Sequence, residues 1–316
     1  MPVYVLHENP AWFPPFAAAF EAAGLAYEEW LLIAGTLDLA STPPDGVFWN
    51  RLSGSAHTRN HPYAKDYTRA VLDWLQAHGR RVVSGRWVVE MEVSKVRQLT
   101  ALRAFGLDVP RTVAVVGKDD LVATAARFPT PFVTKHNQGG KGLGVRRFDD
   151  LEAFAAYVAS DEFEEPVDGI TLLQEYVPPK DGLITRVETV GYEYVYAITA
   201  DAARGGFQLC PADACELDAA GRPVAAPSLF ALRAGFRHPI VDAYCRFARA
   251  HQLEVAGFEF IETADGRVVT YDVNTNTNYN PDVEAVAPRS GPAAIARYLR
   301  HVLAETDAPT QDAATP

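Results

Sequence analysis

Cysteine is scarce in this chain: three residues in 316, Cys210, Cys215 and Cys245. An odd, low number at this length excludes a disulfide framework and points to a reducing compartment. No second Cys pair or His pair completes a zinc site around Cys210 and Cys215. Long apolar runs are missing too. No segment approaches the roughly 20 apolar residues of a membrane helix, and MPVYVLHENP has neither a basic stretch nor a long apolar core of the kind a signal peptide carries. The expectation is a soluble, cytoplasmic protein with no membrane partner. Positive charge is in deficit, with 29 Lys and Arg against 40 Asp and Glu, a formal net charge of −11. Nucleic acid is therefore not expected as a partner, and a site for anionic ligands would need its basic side chains gathered in one place. The dinucleotide fingerprint is absent after the first strand, which argues against an NAD-dependent enzyme.

What is present suits a folded chain: 48% hydrophobic and 22% charged residues support two or three modules with a substantial core. VYVLHE, GVFWNRL and RRVVSG read as strands, alternating with helical FAAAFEAAG and KDYTRAVLDWLQAHG, so a small parallel α/β module is expected over residues 1–93. A second unit begins at SKVRQLTALRAFG, a helix that Ser94 can cap. Strands VAVV, PFVTK and VRRF follow, with helices over DDLVATAARF and LEAFAAYV, the latter preceded by a capping-box pattern of Asp149 and Glu152. The third unit holds TLLQEYV, a hairpin around Gly191, helix PIVDAYCRFARAHQL, a second hairpin and PAAIARYLRHVLAE. There is no internal repeat. Strand hairpins mixed with helices make units two and three α+β, with boundaries expected at 94–170 and 171–305. Residues 306–316 read as a disordered tail.

The second hairpin, GFEFIETADGRVVTYDVNTNTNYN, carries the most chemistry. Asp265-Gly266 is a strong turn signal. Alternation by two puts Asp272 and Asn274 on one face, and the turn folds Glu259 back toward them. Three oxygen ligands converging on a strand pair suit Mg²⁺, although a solvated polar face would read the same way. Lys135 ends an apolar strand and is followed by Gly139, Gly140, Lys141, Gly142 and Gly144. A lysine emerging from a buried strand can meet phosphate, and glycines let backbone N–H groups approach it. The spacing matches neither G-x-x-x-x-G-K-[ST] nor G-x-G-x-x-G. His136 beside Lys135 needs no catalytic role, since the loop already explains its polarity.

Other groups are ambiguous by themselves. Lys95 lies just inside a helix start. Gln174, Glu175, Tyr176 and Val177 end a strand before Pro178-Pro179 and could offer backbone groups to a purine edge, with Asp181 accepting from ribose hydroxyls. Arg186 opens a strand and could clamp a phosphoryl group; Arg204, beside Gly205-Gly206, carries the same ambiguity. In the loop after the second strand, Arg51 or Arg59 could hold a substrate carboxylate with help from Ser53 or Ser55.

Taken in order, these features form a series: lysine at a helix start, strand lysine with glycine loop, strand-end Gln-Glu-Tyr-Val, strand arginine, then Glu…Asp-x-Asn. Over roughly residues 94 to 300 this series resembles the ATP-grasp superfamily of ligases, and within it the RimK-type glutamate ligases and the ATP-binding part of glutathione synthetases. The resemblance implies an ATP-grasp fold in which Lys95 and Lys135 contact ATP phosphates and the loop from Asn137 to Gly144 closes over them. It implies that Glu175 and Val177 meet adenine, Asp181 the ribose and Arg186 the transferred phosphate. Glu259, Asp272 and Asn274 would hold two Mg²⁺ ions. The implied activity joins a small-molecule carboxylate to an amine, of amino-acid or peptide kind, through an acyl phosphate, releasing ADP and phosphate; many relatives self-associate. Two departures stand out. Family members often have Asp where Glu259 stands and Glu where Asp272 stands. Many also follow the asparagine with a Ser-Pro-Gly type turn, where this chain has Asn274-Thr275-Asn276-Thr277-Asn278. Asn276 could add a ligand or substrate contact. The alternative reading is a non-catalytic ATP-binding sensor or scaffold, which retention of both lysines and all three metal ligands disfavours.

Overall fold

The computed structural model describes residues 1–140, 142, 144–205 and 228–307. Lys141, Gly206, Cys210 and Cys215, all singled out above, lie outside the described residues, as do positions 308–316 of the expected tail. Thr306 and Asp307, placed in that tail from sequence, instead end the last helix.

The N-terminal alternation of apolar strands and amphipathic helices builds a parallel sheet. Strands β1 (Val3–His7), β2 (Tyr27–Leu31), β3 (Val47–Asn50) and β4 (Arg81–Val83) lie in the order β2-β1-β3-β4. Helices α1 (Pro14–Ala22), α2 (Ala64–Ala77) and α3 (Arg86–Glu92) connect and follow them. β2 and α3 carry no clear sequence signal. β2 is an edge strand whose YEEWL residues stay half exposed, and α3 begins only two residues after β4.

Helix α4 (Lys95–Ala104) starts at Ser94, whose Oγ accepts from the Arg97 N–H at 3.3 Å. The following residues form β5 (Thr112–Val116), α5 (Leu121–Ala125), β6 (Phe132–His136), β7 (Arg146–Phe148), α6 (Leu151–Ala159) and β8 (Ile170–Glu175). Their sheet is antiparallel, in the order β5-β8-β6-β7. The cap of α6 is Asp150 and not Asp149: Asp150 Oδ1 accepts from the Ala153 N–H at 2.7 Å, whereas Asp149 pairs with Arg147.

The last sheet, also antiparallel, runs β11-β10-β9-β12-β13. Its strands are β9 (Leu183–Val190), β10 (Glu193–Asp201), β11 (Phe230–Leu232), β12 (Val255–Glu262) and β13 (Val268–Asn274), with helices α7 (Ala202–Gly205), α8 (Pro239–Ala250), α9 (Pro281–Glu284) and α10 (Gly291–Asp307). Hydrophobic burial, worth about 25 cal/mol per Å² of apolar surface removed from water, ties the units together. Phe16 and Phe20 of α1 share one core with Ile295 and Leu299 of α10. Leu99 and Leu102 of α4 share another with Tyr244, Phe247 and Phe258.

Two elements thus sit on the other side of the division at 170/171. β8 is hydrogen-bonded between β5 and β6, so it belongs to the middle sheet. α4 packs on the last sheet. Among the described residues no helix is long and apolar enough to cross a membrane.

Candidate active site

The β12–β13 register decides the geometry. Glu259 lies directly opposite Asp272, and Gly257 opposite Asn274. On the other side of β12, Glu259 faces Arg186 of β9. The side chains meet accordingly: Glu259 Oε1 accepts from Asn274 Nδ2 at 3.1 Å and from Arg186 Nη1 at 3.1 Å, and Glu259 Oε2 accepts from the Tyr271 hydroxyl at 2.8 Å. Arg186 has room because Gly257 lacks a side chain; a Cβ there would lie 2.6 Å from the guanidinium nitrogens. Its Nε donates to Glu188 Oε1 at 2.5 Å, and Glu188 Oε2 accepts from Thr277 Oγ1 at 3.1 Å.

Two lysines approach from other elements. Lys95 Nζ is 2.6 Å from Asp272 Oδ1. Lys135, at the end of β6, places its Nζ 4.7 Å above the Tyr271 ring. Asn137 links their supports: its Oδ1 accepts from the Val96 N–H at 2.8 Å and its backbone carbonyl from the Lys95 N–H at 3.1 Å, while its Nδ2 donates to Asp168 at 2.6 Å.

Burial and charge give the two lysines different characters. Burial pulls both pKa values down. For Lys95 the neighbouring Asp272, with Glu259 and Glu92, outweighs it and holds the ammonium above its ordinary range. For Lys135 burial wins, bringing it to about 8 although Asp272 and Glu259 pull upward. Asp272 lies below the usual carboxylate range, because Lys95 and Lys135 overcome the opposing effect of burial.

These groups share a cavity of about 500 Å³ that Lys95, Lys135, Arg186, Glu259, Asp272 and Asn274 all line. Gly139, Gly140 and Gly142 line it as well. Gly144 does not: it packs on the His136 ring, where a Cβ would fall 2.1 Å from a ring carbon. Farther along, Gln174, Glu175, Tyr176 and Val177 border an apolar stretch that includes Val133, Val145 and Val269. Asp181 is exposed, next to the lining residue Gly182. Arg204 is not among the lining residues, although Ala203 is, and it is ion-paired with Asp201.

Ser53, Ser55, Asn276, Asn278, Glu92 and Trp12 also line the cavity, with Ser55 lying against Gly140. Arg51 and Arg59 are not among the lining residues. Arg51 is 3% exposed, stacked against Phe16 and Trp49, so it does not reach into the cavity as the sequence suggested. Arg59 is ion-paired with Glu8.

Several participants escaped the sequence reading. Glu188 had a signal: it lies two residues from Arg186 on the same strand face. Asn137, Glu92, Tyr271 and Gly257 had none. Cys245 is a half-buried free thiol on α8, away from the site. Among the described residues no three His, Cys, Asp or Glu side chains gather to hold a metal; beside Glu259 and Asp272, Asn274 supplies a further oxygen donor, and Asn276, whose Oδ1 has no partner among the described residues, lines the same cavity. That all-oxygen set is the hard donor chemistry Mg²⁺ takes, and its small number leaves coordination positions for phosphate oxygens and water.

No protein-family model matches the chain. It is 28% identical over 240 residues, 75% of this chain and 74% of the relative, to the protein named probable alpha-L-glutamate ligase in Stenotrophomonas maltophilia strain K279a, and equally to that of strain R551-3. Among solved structures it superposes on D-cycloserine synthetase DcsG with a TM-score of 0.65 at 20% identity, covering 95% of this chain and 99% of the other. For the RimK domain ATP-grasp protein of Sphaerobacter thermophilus DSM 20745 the values are 0.63, 17%, 94% and 99%. For the ATP-grasp ligase PsnB, solved with a minimal precursor, Mg and ADP, they are 0.64, 16%, 96% and 97%.

Proposed function

This chain has the ATP-grasp fold, and we propose that it is an ATP- and Mg²⁺-dependent carboxylate–amine ligase that forms an amide or peptide bond through an acyl phosphate. One observation carries the reading. Lys95, Lys135 and Arg186 come from three elements to meet Glu259, Asp272 and Asn274 in a cavity whose other walls suit a nucleotide base and a polar substrate.

In this reading the adenine lies along the apolar stretch beside Glu175, Tyr176 and Val177, near Gln174, with Asp181 by the ribose. The phosphates run toward Lys95 and Lys135 beneath Gly139, Gly140 and Gly142, and Lys141 adds a further cation. Glu259, Asp272 and Asn274 would hold Mg²⁺, as two ions. The bound metal supplies positive charge to the phosphate oxygens. The ion pairs Lys95–Asp272 and Arg186–Glu259 set each cation beside a metal-binding carboxylate, so cations turn to phosphate and carboxylates to metal without leaving charge uncompensated.

A substrate carboxylate attacks the γ-phosphorus in line and ADP leaves. Arg186, fixed by Glu188 and Glu259, faces the transferring phosphoryl group. The amine then attacks the acyl phosphate carbonyl, positive charge stabilises the tetrahedral oxyanion, and phosphate departs. The glycine loop excludes water from the acyl phosphate meanwhile. The substrates are small carboxylates and amines of amino-acid or peptide kind.

The test mixes the protein with ATP, Mg²⁺ and a panel of amino acids and dipeptides and follows phosphate release. Asp272→Asn and Lys135→Ala are each expected to lower the substrate-dependent rate by roughly a hundredfold or more. Rates that stay at the wild-type level would remove these residues from the site.

A further inference from the structure

Part of the cavity wall carries hydrogen-bond donors with cations behind them, beside Asn276, whose buried Oδ1 has no partner among the described residues. Arg51 Nη2 donates to Asn278 Oδ1 at 3.0 Å and to the Thr277 carbonyl at 3.3 Å. A guanidinium only donates, so the carboxamide atom facing it is the oxygen. Asn278 Nδ2, without a partner among the described residues, is left for the cavity that Asn278 lines. Arg51 has no carboxylate partner among the described residues, and its Nε is buried without an acceptor. Hydrogen bonding to a cation polarises the carboxamide and strengthens its N–H as a donor.

A second chain ends the same way. Arg59 Nη1 donates to Ser55 Oγ at 3.0 Å, and the Ser53 and Ser55 hydroxyls are 2.9 Å apart. Whichever hydroxyl donates to the other, one O–H of the pair remains, and both serines line the same cavity. The acidic residue nearby, Glu92, is already occupied: its Oε1 accepts from the Gly54 N–H, and its Oε2 from the Thr275 N–H and hydroxyl. At the metal ligands the polarity is reversed. Asn274 gives its Nδ2 to the carboxylate of Glu259, leaving an oxygen.

We propose that Asn278 Nδ2 and the Ser53–Ser55 hydroxyl pair hold a carboxylate of the substrate that does not react, with Arg51 acting behind Asn278 as a positioning residue. The ligase takes an α-amino acid or peptide with a free carboxylate, held by these donors beside the glycine loop, where Ser55 lies against Gly140. This rests on the ligase reading for the reacting end only; the carboxylate subsite stands on its own donors.

The test measures binding by calorimetry in the presence of ADP and Mg²⁺, for alanine, glutamate and alanyl-alanine against their C-terminal carboxamides, and follows phosphate release on the same compounds with ATP. The wild type should bind free acids about tenfold or more tighter than carboxamides. Asn278→Ala and Ser53→Ala should bring the two within about twofold. Arg51→Met should do the same with Asn278 in place; if it fails to fold, the Asn278 and Ser53 variants decide alone. Equal binding of acids and carboxamides by the wild type, no binding of either, or a wild-type preference kept by both Asn278→Ala and Ser53→Ala overturns the subsite. An acid preference without phosphate release in any combination counts against the ligase reading and leaves the subsite standing.

Discussion

Burial sets the acid–base character of Lys135. Its ammonium is held near 8 and that of Lys95 above the ordinary lysine range, so only Lys135 titrates close to neutral pH. Because its folded pKa lies below the 10.5 of an exposed lysine, keeping it charged costs stability below pH 8, and that cost fades as pH rises toward 10.5. A nucleotide phosphate favours the ammonium and so draws in a proton. ATP affinity, measured without divalent metal, should therefore be highest below pH 8 and fall as pH rises through 8, by up to about tenfold per unit for one linked proton. Calorimetry in two buffers of different ionisation enthalpy should show proton uptake at pH 8.5, and Lys135→Met should abolish both effects. A flat affinity between pH 7 and 9.5 in the wild type would show that Lys135 does not meet the phosphates. The position of Lys135 at the end of an apolar strand was legible in the sequence. Its lowered pKa was not, since it comes from burial by other elements, with Lys95 adding to it and Asp272 and Glu259 opposing it.

Among the secondary elements, α4 and β6 must keep their lysines at a fixed spacing, and Asn137 is what joins them. Three of its interactions go to the start of α4: to Val96 N–H, Lys95 N–H and Ser94 Oγ. Asn137→Ala leaves the Val96 N–H without its acceptor and is expected to cost about 1–3 kcal/mol, seen as a lower unfolding temperature. It should also raise KM for ATP more than it lowers kcat. An unchanged KM for ATP in the alanine variant would mean that this link does not set the lysine spacing. Most elements could be read from local pattern, including the cap at Ser94 and both hairpins. β2 could not, because its half-exposed YEEWL has the composition of a polar loop, and its strand form comes from pairing alongside β1.

At the scale of the whole molecule, buried carboxylates join the N-terminal module to the β12–β13 hairpin: Glu254 before β12 accepts from the Ser84 N–H and from Arg81, and Glu92 reaches the residue after β13. Glu92, at the end of α3, accepts from Gly54 after β3 and from Thr275 after β13. Burial raises its pKa despite those hydrogen bonds. Glu92→Ala would leave these donors unsatisfied, with a loss of about 1–3 kcal/mol in stability. If the substrate carboxylate is held as proposed, by Ser53, Ser55 and Asn278, the variant should raise KM for the amino-acid or peptide substrate well above any change in KM for ATP, because Gly54 and Thr275 are near those residues in sequence. Steady-state kinetics with each substrate varied in turn checks this; an equal rise in both would place the effect in general loosening of the fold.

The sequence by itself determined what local periodicity and turn chemistry control. Alternation by two puts Asp272 and Asn274 on one face and the Asp265-Gly266 turn returns the strand, while a β-bulge between Glu259 and Phe260, which no local pattern announces, shifts the register so that Glu259 stands opposite Asp272 and not Tyr271. The order of lysines, glycines and arginine along the chain matches the fold it adopts. Tertiary structure alone decided the partners. Lys95 meets Asp272 across 177 positions of sequence, β8 joins the middle sheet while α4 packs on the last, and Arg51 goes beneath the cavity to act through Asn278. Such pairings depend on which apolar faces are buried against each other, and the period of a single strand or helix carries no information about that choice.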